Sequence, residues 1–422
     1  MLDTIGHYPY LSYENNKLLI QDKSIESLSE NKKTPFFMFL PNRFENNALE
    51  IKSKLEKNIP NLFISYAAKA NYLGKILQNS NKLDLGIEAM SLFELKLAEK
   101  AGVAFNNVIF NGPAKTSEEL DYAISNRIGH LNVESLNEIK EIERIAVKHE
   151  IIQNITVRIH PKLKETTEKK LLIKKNSKLG IDFSRGVKLF EYAKKSPHLN
   201  PIGVHTHVGT NLISHDFYDE LLEFLNDYIH DLQSKLDISI TEINLGGGLA
   251  SRSTLEKEKF QIEKLGEQVS SKIDDIINKK IIFELGRCLI EDSFIAITKV
   301  LRTKKSWGRK WAFTDIGANT LIPMRYSHYG VIPALNKGKG QYTNIGGPLC
   351  LPVDILTDEA VNFEIDEGDF LIVLNCGAYT LSMSEQFGYP RPAIYQLSDK
   401  GIDLIKPADD LDQMINDSFH LS

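Results

Sequence analysis

The stretch LFISYAAK, residues 62–69, is a short apolar run that ends in a lysine and precedes a helical segment. Similar apolar runs follow it as far as residue 287, and each is separated from the next by an amphipathic helical pattern. This alternation predicts repeated βα units around a parallel sheet, which is an α/β fold. FFMFL at 36–40 is a further strand candidate, which we expect to lead into the barrel. With it, the number of strand candidates is close to the eight strands of a (β/α)8 TIM barrel. The other candidates are the segment around Leu85, VIFNG (108–112), HLNVES (130–135), ITVRIHP (155–161), IGVHTHVG (202–209), ITEINLGGG (240–248) and IIFELGR (281–287).

A different pattern begins near residue 295. Alternating, turn-punctuated segments such as KWAFTDIG (310–317) and AIYQLSDKGIDLI (393–405) predict a C-terminal antiparallel β domain. YPYLSYENNKLLIQD, at 8–22, reads as a hairpin that joins this domain. We therefore expect a barrel domain over residues 35–290 and a β domain formed by residues 1–34 and 291–422.

Composition indicates a soluble globular protein, with 42% hydrophobic and 25% charged residues in 422. We see no run of about 18 apolar residues that could span a bilayer and no secretion signal, so we expect a cytoplasmic location. The three cysteines, Cys288, Cys350 and Cys376, are too few for a disulfide framework and show no CxxC spacing. A net charge of -5 gives no electrostatic reason to expect nucleic-acid binding.

Lysines are concentrated in TTEKKLLIKKNSK, residues 166–178, and just before it. Charge runs of this kind usually form a solvated loop, which is the interpretation we favour. The alternative is a docking patch for an acidic carrier protein or an anionic substrate.

In a TIM barrel the chemistry lies at the C-terminal ends of the strands. Lys69 is at such an end, where a desolvated amine has a lowered pKa and can attack an aldehyde. The glycines of INLGGGLA (243–250) favour a phosphate cradle over a simple tight turn. Glu284 and Arg287 close another strand, and a buried Glu284 needs a cationic partner such as a protonated pyridine nitrogen. Arg287 is suited to a phosphate or a carboxylate.

His205 and His207 lie two residues apart, on one face of a predicted strand. That spacing is compatible with a metal site, but no nearby cluster supplies a third and fourth ligand. We therefore expect no metal.

Seven short motifs follow one another along the chain: YAAKAN (66–71), SKLGI (177–181), HVGTN (207–211), GGGL (246–249), ELGR (284–287), GGPLC (346–350) and CGAYTLSM (376–383). In type and order they resemble those of the fold-type III pyridoxal-phosphate (PLP) decarboxylases, the family of diaminopimelate and ornithine decarboxylases. The resemblance implies an alanine-racemase-like barrel with a β domain, PLP as cofactor, an amino-acid substrate and a head-to-tail homodimer whose subunits share active sites.

The same resemblance implies roles for individual residues. Lys69 holds the cofactor as a Schiff base, and His207 stacks on the pyridine ring. Glu284 keeps the pyridine nitrogen protonated, where related racemases place an arginine. Cys350, contributed from the second subunit, reprotonates the substrate carbon after CO2 loss. The remaining implied cofactor contacts are Thr210, Gly246, Gly247 and Gly248 with Tyr379 at the phosphate, Arg287, and Arg158 and Glu88 in the surrounding hydrogen-bond network.

The sequence departs from the family pattern at the far end of the substrate pocket. Ile322 stands where diaminopimelate decarboxylases have an arginine that grips the distal carboxylate, and Arg325 is displaced from that position. Leu351 replaces an acidic residue that contacts the distal amine. Losing both charged partners would cost several kcal/mol in a buried site, so the departures favour a substrate other than diaminopimelate. Leu285 also replaces the family's proline, and the implied substrate contacts are Arg287, Ile322, Tyr326, Leu351 and Tyr379.

Several functions therefore stay open. The first is decarboxylation of a siderophore or antibiotic intermediate, or of an aminoacyl group on a carrier protein. The second is diaminopimelate decarboxylation in lysine biosynthesis. Glu284 and the Cys350 motif disfavour an amino-acid racemase, and the second domain disfavours a non-catalytic PLP-binding protein.

Overall fold

The computed structural model describes residues 5, 7–169, 177–321 and 329–419. The chain divides into two compact units. One comprises residues 47–289, and the other comprises residues 1–46 and 290–422. Within the described part of the chain, we find no helix with the length and apolarity needed to cross a membrane.

The first unit is a closed barrel of eight parallel strands. Each strand pairs with the next one along the chain, and the eighth pairs with the first to close the ring. The predicted barrel is confirmed, and every predicted run from residue 62 onward contributes one strand. In chain order the eight strands are Leu62–Ala67, Gly86–Ala89, Val108–Phe110, His130–Val133, Gln153–His160, Leu199–His205, Glu242–Asn244 and Lys280–Leu285.

Several of the helices between the strands begin at a side-chain cap and bury one apolar face. The helix Ser117–Ser125, for example, begins at a capping box formed by Thr116 and Glu119 and buries one apolar face. A two-residue strand, Ile181–Asp182, pairs with the fifth barrel strand. The helices up to residue 293 are Ile25–Ser29, Pro41–Glu56, Gly74–Lys82, Leu92–Lys100, Ser117–Ser125, Leu136–Lys148, Glu165–Glu168, Phe183–Lys195, His215–Leu236, Arg252–Lys257, Ile262–Lys272 and Arg287–Ile290, with 3-10 turns at Ala68–Ala70, Phe105–Asn107, Ile276–Asn278 and Glu291–Ser293.

One predicted barrel strand belongs to the second unit. Phe36–Phe39 pairs antiparallel with Phe294–Ser306 and parallel with Ala393–Ser398. Our expectation that it leads into the barrel is wrong. All four of its residues are buried, so its unbroken apolar pattern suits the centre of either sheet and cannot indicate which one it joins.

The sheet of the second unit is mixed. Besides the parallel pair described above, Arg309–Thr314 runs parallel to Lys339–Gly346, while most other pairs are antiparallel. A purely antiparallel domain is therefore not observed, because long connections let distant segments pair in parallel. The strands of this unit are Leu11–Glu14, Lys17–Ile20, Lys23–Ser24, Phe36–Phe39, Phe294–Ser306, Arg309–Thr314, Val331–Pro333, Lys339–Gly346, Val361–Phe363, Phe370–Val373, Ala393–Ser398 and Gly401–Lys406, and a helix spans Leu411–Phe419.

The N-terminal hairpin packs into the same core. Leu18 and Ile20 are fully buried in a cluster with Ile295 and Ile332, and Leu18 donates a backbone hydrogen bond to Ala334. Burial of these side chains is the main force that holds the hairpin to the sheet.

Candidate active site

Lys69 lies at the barrel mouth, two residues after the end of the first strand. Its Nζ donates a hydrogen bond to Oε2 of Glu88, which is on the neighbouring second strand. The Lys69 side chain is 30% exposed, whereas that of Glu88 is 1% exposed. A buried carboxylate therefore holds an amine that solvent and ligands can reach.

Glu284, on the eighth strand, is surrounded by amides. Its Oε1 accepts hydrogen bonds from Nδ2 of Asn244 at 2.8 Å and from Nδ2 of Asn132 at 3.3 Å. Its Oε2 accepts one from Nδ2 of Asn111 at 2.9 Å. Asn111 Nδ2 also donates to Oε1 of Glu88 at 2.9 Å, so a single amide joins the carboxylate beside Lys69 to Glu284.

The two predicted histidines lie at the end of the sixth strand, His205 as its last residue and His207 two residues beyond it. Desolvation, followed by the positive charges of Arg158 and Lys69, holds the pKa of both His205 and His207 well below the usual range. The Gly247 N–H donates to Nδ1 of His207 at 3.0 Å, which places the remaining ring proton on Nε2. His205 lies 3.6 Å from Oε2 of Glu284. Among the described residues, no group of three or more His, Cys, Asp or Glu side chains could hold a metal.

The glycine run packs against the ends of two neighbouring strands. A Cβ on Gly247 would lie 2.1 Å from the carbonyl oxygen of Glu284, and one on Gly248 would lie 2.4 Å from that of Gly209. Gly246 has a φ of 66°. Close packing and a left-handed backbone therefore require these glycines, whether or not they bind a ligand. The loop that contains Thr210 lies alongside them, since Leu212 donates to the carbonyl of Gly248.

Arg158 belongs to a second polar cluster at the mouth. It donates to Oε1 of Glu134 at 2.9 Å, and Oε2 of Glu134 accepts from the Gly180 N–H at 2.8 Å. Gly180 has a φ of 76°, so the SKLGI motif needs glycine at this position. Arg287 is buried in the turn after the eighth strand.

The other predicted site residues belong to the second unit. Cys350 is exposed in the loop after Lys339–Gly346, with Leu351 half-buried beside it. Tyr379 is half-buried and has a φ of 60°. Ile322 and Tyr326 lie outside the described residues.

Sequence reasoning missed the amides of Asn111, Asn132 and Asn244. Asn132 and Asn244 lie within barrel strands, where asparagine is disfavoured, and Asn111 lies directly after one. That mismatch with strand propensity was the available signal. A fourth missed residue is Glu94, whose Oε2 accepts from the Met90 N–H at 2.8 Å.

Comparisons with known proteins identify relatives of this chain. A family model described as pyridoxal-dependent decarboxylase, pyridoxal binding domain, matches residues 47–291. The diaminopimelate decarboxylase of Aquifex aeolicus is 29% identical over 421 residues, which covers 98% of each chain. The crystal structure of diaminopimelate decarboxylase from M. jannaschii superposes with a TM-score of 0.90 at 26% identity and covers 97% of this chain and 98% of that one.

A further solved relative contains a ligand. The diaminopimelate decarboxylase of Helicobacter pylori, complexed with L-lysine, superposes with a TM-score of 0.85 at 27% identity, covering 93% of this chain and 99% of that one. The family match spans more than half of the chain and includes the whole barrel. The chain therefore belongs to the pyridoxal-dependent decarboxylase family and is a carboxy-lyase that uses pyridoxal phosphate, as its motifs predict.

Proposed function

We propose that this enzyme removes CO2 from diaminopimelate. The observation that carries the proposal is the likeness to diaminopimelate decarboxylases over nearly the whole chain, at 29% identity and 98% coverage for the Aquifex aeolicus enzyme. It outweighs our first expectation of a different substrate, which depends on two positions in the distal pocket. One of them, Ile322, lies outside the described residues.

The donor set of the barrel mouth fits the cofactor. An amine can bond to the aldehyde of PLP, and a buried carboxylate can pair with its ring nitrogen. Backbone N–H groups can bind its phosphate. When bound, PLP supplies the electron sink that stabilises the carbanion left by CO2 loss. We assign the aldehyde to Lys69, the ring nitrogen to Glu284, and the phosphate to Thr210 and the glycine run.

The neighbouring side chains control charge and orientation at this site. Glu88 orients the Lys69 amine through its hydrogen bond. His207 presents a neutral ring, because desolvation and nearby cations lower its pKa and Gly247 fixes its tautomer. A neutral ring can stack on an aromatic cofactor without adding a positive charge. Arg158 is oriented by Glu134, and we propose that Arg287 binds the phosphate or the substrate carboxylate.

We assign the return of a proton to the substrate carbon to Cys350. Its thiol is exposed and its loop is fixed by Asp354, which accepts hydrogen bonds from the N–H groups of Leu349 and Ala318, both at 2.6 Å. By the family resemblance we propose a homodimer in which Cys350 and Tyr379 complete the site of the partner. A cytoplasmic location stays a prediction.

A second candidate function is favoured by Leu351. An apolar side chain at this position gives no charged partner to a distal ammonium group. It suits a substrate with an uncharged distal end, including an aminoacyl group on a carrier protein.

A substrate panel separates the two candidates. The PLP-loaded enzyme is incubated with diaminopimelate, lysine, ornithine, arginine, glutamate and carrier-tethered amino acids in D2O, and both CO2 and α-deuteration are measured. We expect CO2 from diaminopimelate, with lysine as product. CO2 from another member alone would reject diaminopimelate, and deuteration without CO2 would indicate a racemase.

A further inference from the structure

The carboxylate of Glu284 is held by neutral donors. Three asparagine amides contact it at 2.8–3.3 Å, and Asn111, Asn132 and Asn244 are 6%, 1% and 1% exposed. Buried polar groups are rarely left without partners. Three buried donors directed at one carboxyl group therefore require that its oxygens act as acceptors.

The orientation of these amides follows from their contacts. Nδ2 of Asn111 lies between two carboxylates, Glu88 and Glu284, at 2.9 Å from each. Turning the amide over would bring its oxygen against two acceptors, so only the donor orientation is possible. Nδ2 of Asn132 likewise donates both to Oδ1 of Asn111, at 2.6 Å, and to Glu284.

Asn132 has a purely donating role in this network. Its Oδ1 is buried and has no hydrogen-bond partner among the described residues. Leaving a buried acceptor unpaired is unfavourable, and a leucine of similar size would avoid that cost. The asparagine is therefore explained by its two donated hydrogen bonds.

Among the described residues, neither a lysine nor an arginine forms an ion pair with Glu284. Nε2 of His205 lies 3.6 Å from Oε2 of Glu284, and desolvation together with nearby cations lowers the pKa of His205, which favours its neutral form. Amide donors can stabilise a buried carboxylate without neutralising it. The negative charge stays available to a ligand.

We infer that Asn111, Asn132 and Asn244 are positioning residues that keep Glu284 as a carboxylate, so that the ring nitrogen of bound PLP carries a proton. The inference deepens the proposed function and rests on its assignment of the ring nitrogen to Glu284. Asn244 also accepts from the Gly246 N–H at 2.8 Å, and it thereby joins Glu284 to the glycine run assigned to the phosphate.

The test uses the full-length enzyme loaded with PLP that carries 15N at the ring nitrogen. The variants are Asn132→Leu, which removes donors alone, and Asn244→Leu, which also removes the acceptor for Gly246. Asn154→Leu is the matched control, because Asn154 is exposed at the start of the fifth strand and contacts Asn200 instead.

The 15N resonance distinguishes a protonated from an unprotonated ring. In wild type and Asn154→Leu we expect the protonated signal across neutral pH. A carboxylate that has lost a donor is a stronger base, so in Asn132→Leu we expect the proton to move from the ring nitrogen to Glu284, which shifts the 15N signal towards the unprotonated value at neutral pH, with a roughly tenfold weaker affinity for PLP. Asn244→Leu should show a larger change in both quantities, because its hydrogen bond to Glu284 is shorter.

Two outcomes are decisive and distinct. Unchanged 15N titration and PLP affinity in a folded Asn132→Leu would overturn the inference while leaving the proposed function intact. An unprotonated ring in the wild-type enzyme would overturn the assignment of Glu284 itself. If Asn244→Leu fails to fold, Asn132→Leu still decides the question.

Discussion

Lys69 donates a hydrogen bond to Glu88 at the mouth of the barrel. The contact fixes the amine beside the strand ends that contain the other assigned cofactor groups. We predict that Lys69→Ala abolishes turnover and the visible absorbance of bound PLP, because no other amine is held in this position by the assigned site. Absorbance spectra and CO2 assays measure both effects. Lys100→Ala, an exposed lysine on the helix Leu92–Lys100, serves as the control and should behave as wild type.

The buried carboxyl of Glu94 predicts a pH-dependent stability. Burial, followed by the charge of Glu88, raises the pKa of Glu94 to about 7. Since the folded state binds this proton more tightly than the unfolded state, stability falls as pH rises from about 4.5 to 7. Glu94→Gln removes this loss, so the variant should gain up to about 3 kcal/mol over wild type at pH 8 and nothing at pH 4. Denaturant unfolding of the cofactor-free protein at both pH values measures the difference.

Glu141, whose pKa is lowered and not raised, provides a control for that measurement. Hydrogen bonds from Arg144 and Ser117 lower the pKa of Glu141 to about 2. Glu141→Gln should therefore give no gain at pH 8. An equal gain in both variants would mean that general charge reduction, and not Glu94, causes the effect.

A buried ion pair stabilises the second unit. Nε and Nη2 of Arg43 donate to Oδ2 of Asp292 at 3.0 and 2.6 Å, and the Asp292 side chain is 1% exposed. Asp292→Ala removes the carboxylate that accepts two hydrogen bonds from the buried Arg43 guanidinium, which costs about 3–5 kcal/mol and should lower the Tm by roughly 10 °C. Asp274→Asn, in an exposed pair with His230, should change the Tm little. Equal Tm shifts in Asp292→Ala and Asp274→Asn would contradict the claim that burial makes the Arg43–Asp292 pair important.

Substitution of Asp354 is expected to lower kcat without affecting cofactor binding. Because its carboxylate fixes the loop that carries Cys350, Asp354→Ala should misplace the thiol and lower kcat by roughly tenfold to a hundredfold. Cofactor absorbance should be unchanged, since every assigned contact to the ring is elsewhere. Cys350→Ala in the same assay should slow or misdirect product formation, and an unaltered rate and product would remove the thiol from the mechanism.

Substitution of Leu351 is expected to change the substrate specificity of the enzyme. Leu351→Glu restores the acidic partner of a distal amine and should raise kcat/KM for diaminopimelate by about tenfold. Leu351→Gln has the same length without the charge and should give no gain. If the glutamate variant shows no gain either, the distal pocket recognises its substrate through other residues.

The barrel was predictable because each strand is a short apolar run between helical patterns, and because Lys69, His207 and Glu284 follow or end such runs. The place of Phe36–Phe39 was not predictable, since burial on both faces suits either sheet. The glycine run was recognised as important, but the sequence could not separate its packing requirement from ligand binding. The asparagines around Glu284 were missed because barrel closure, and not sequence spacing, brings positions 111, 132 and 244 together.

The most direct test of the account is to identify the lysine that holds the cofactor. The PLP-loaded enzyme is reduced with borohydride, which makes the link permanent, and is then digested and mapped by mass spectrometry. We predict a single modified peptide with the pyridoxyl group on Lys69. Modification of another lysine, or of none, would contradict the assignment of the barrel mouth as the active site.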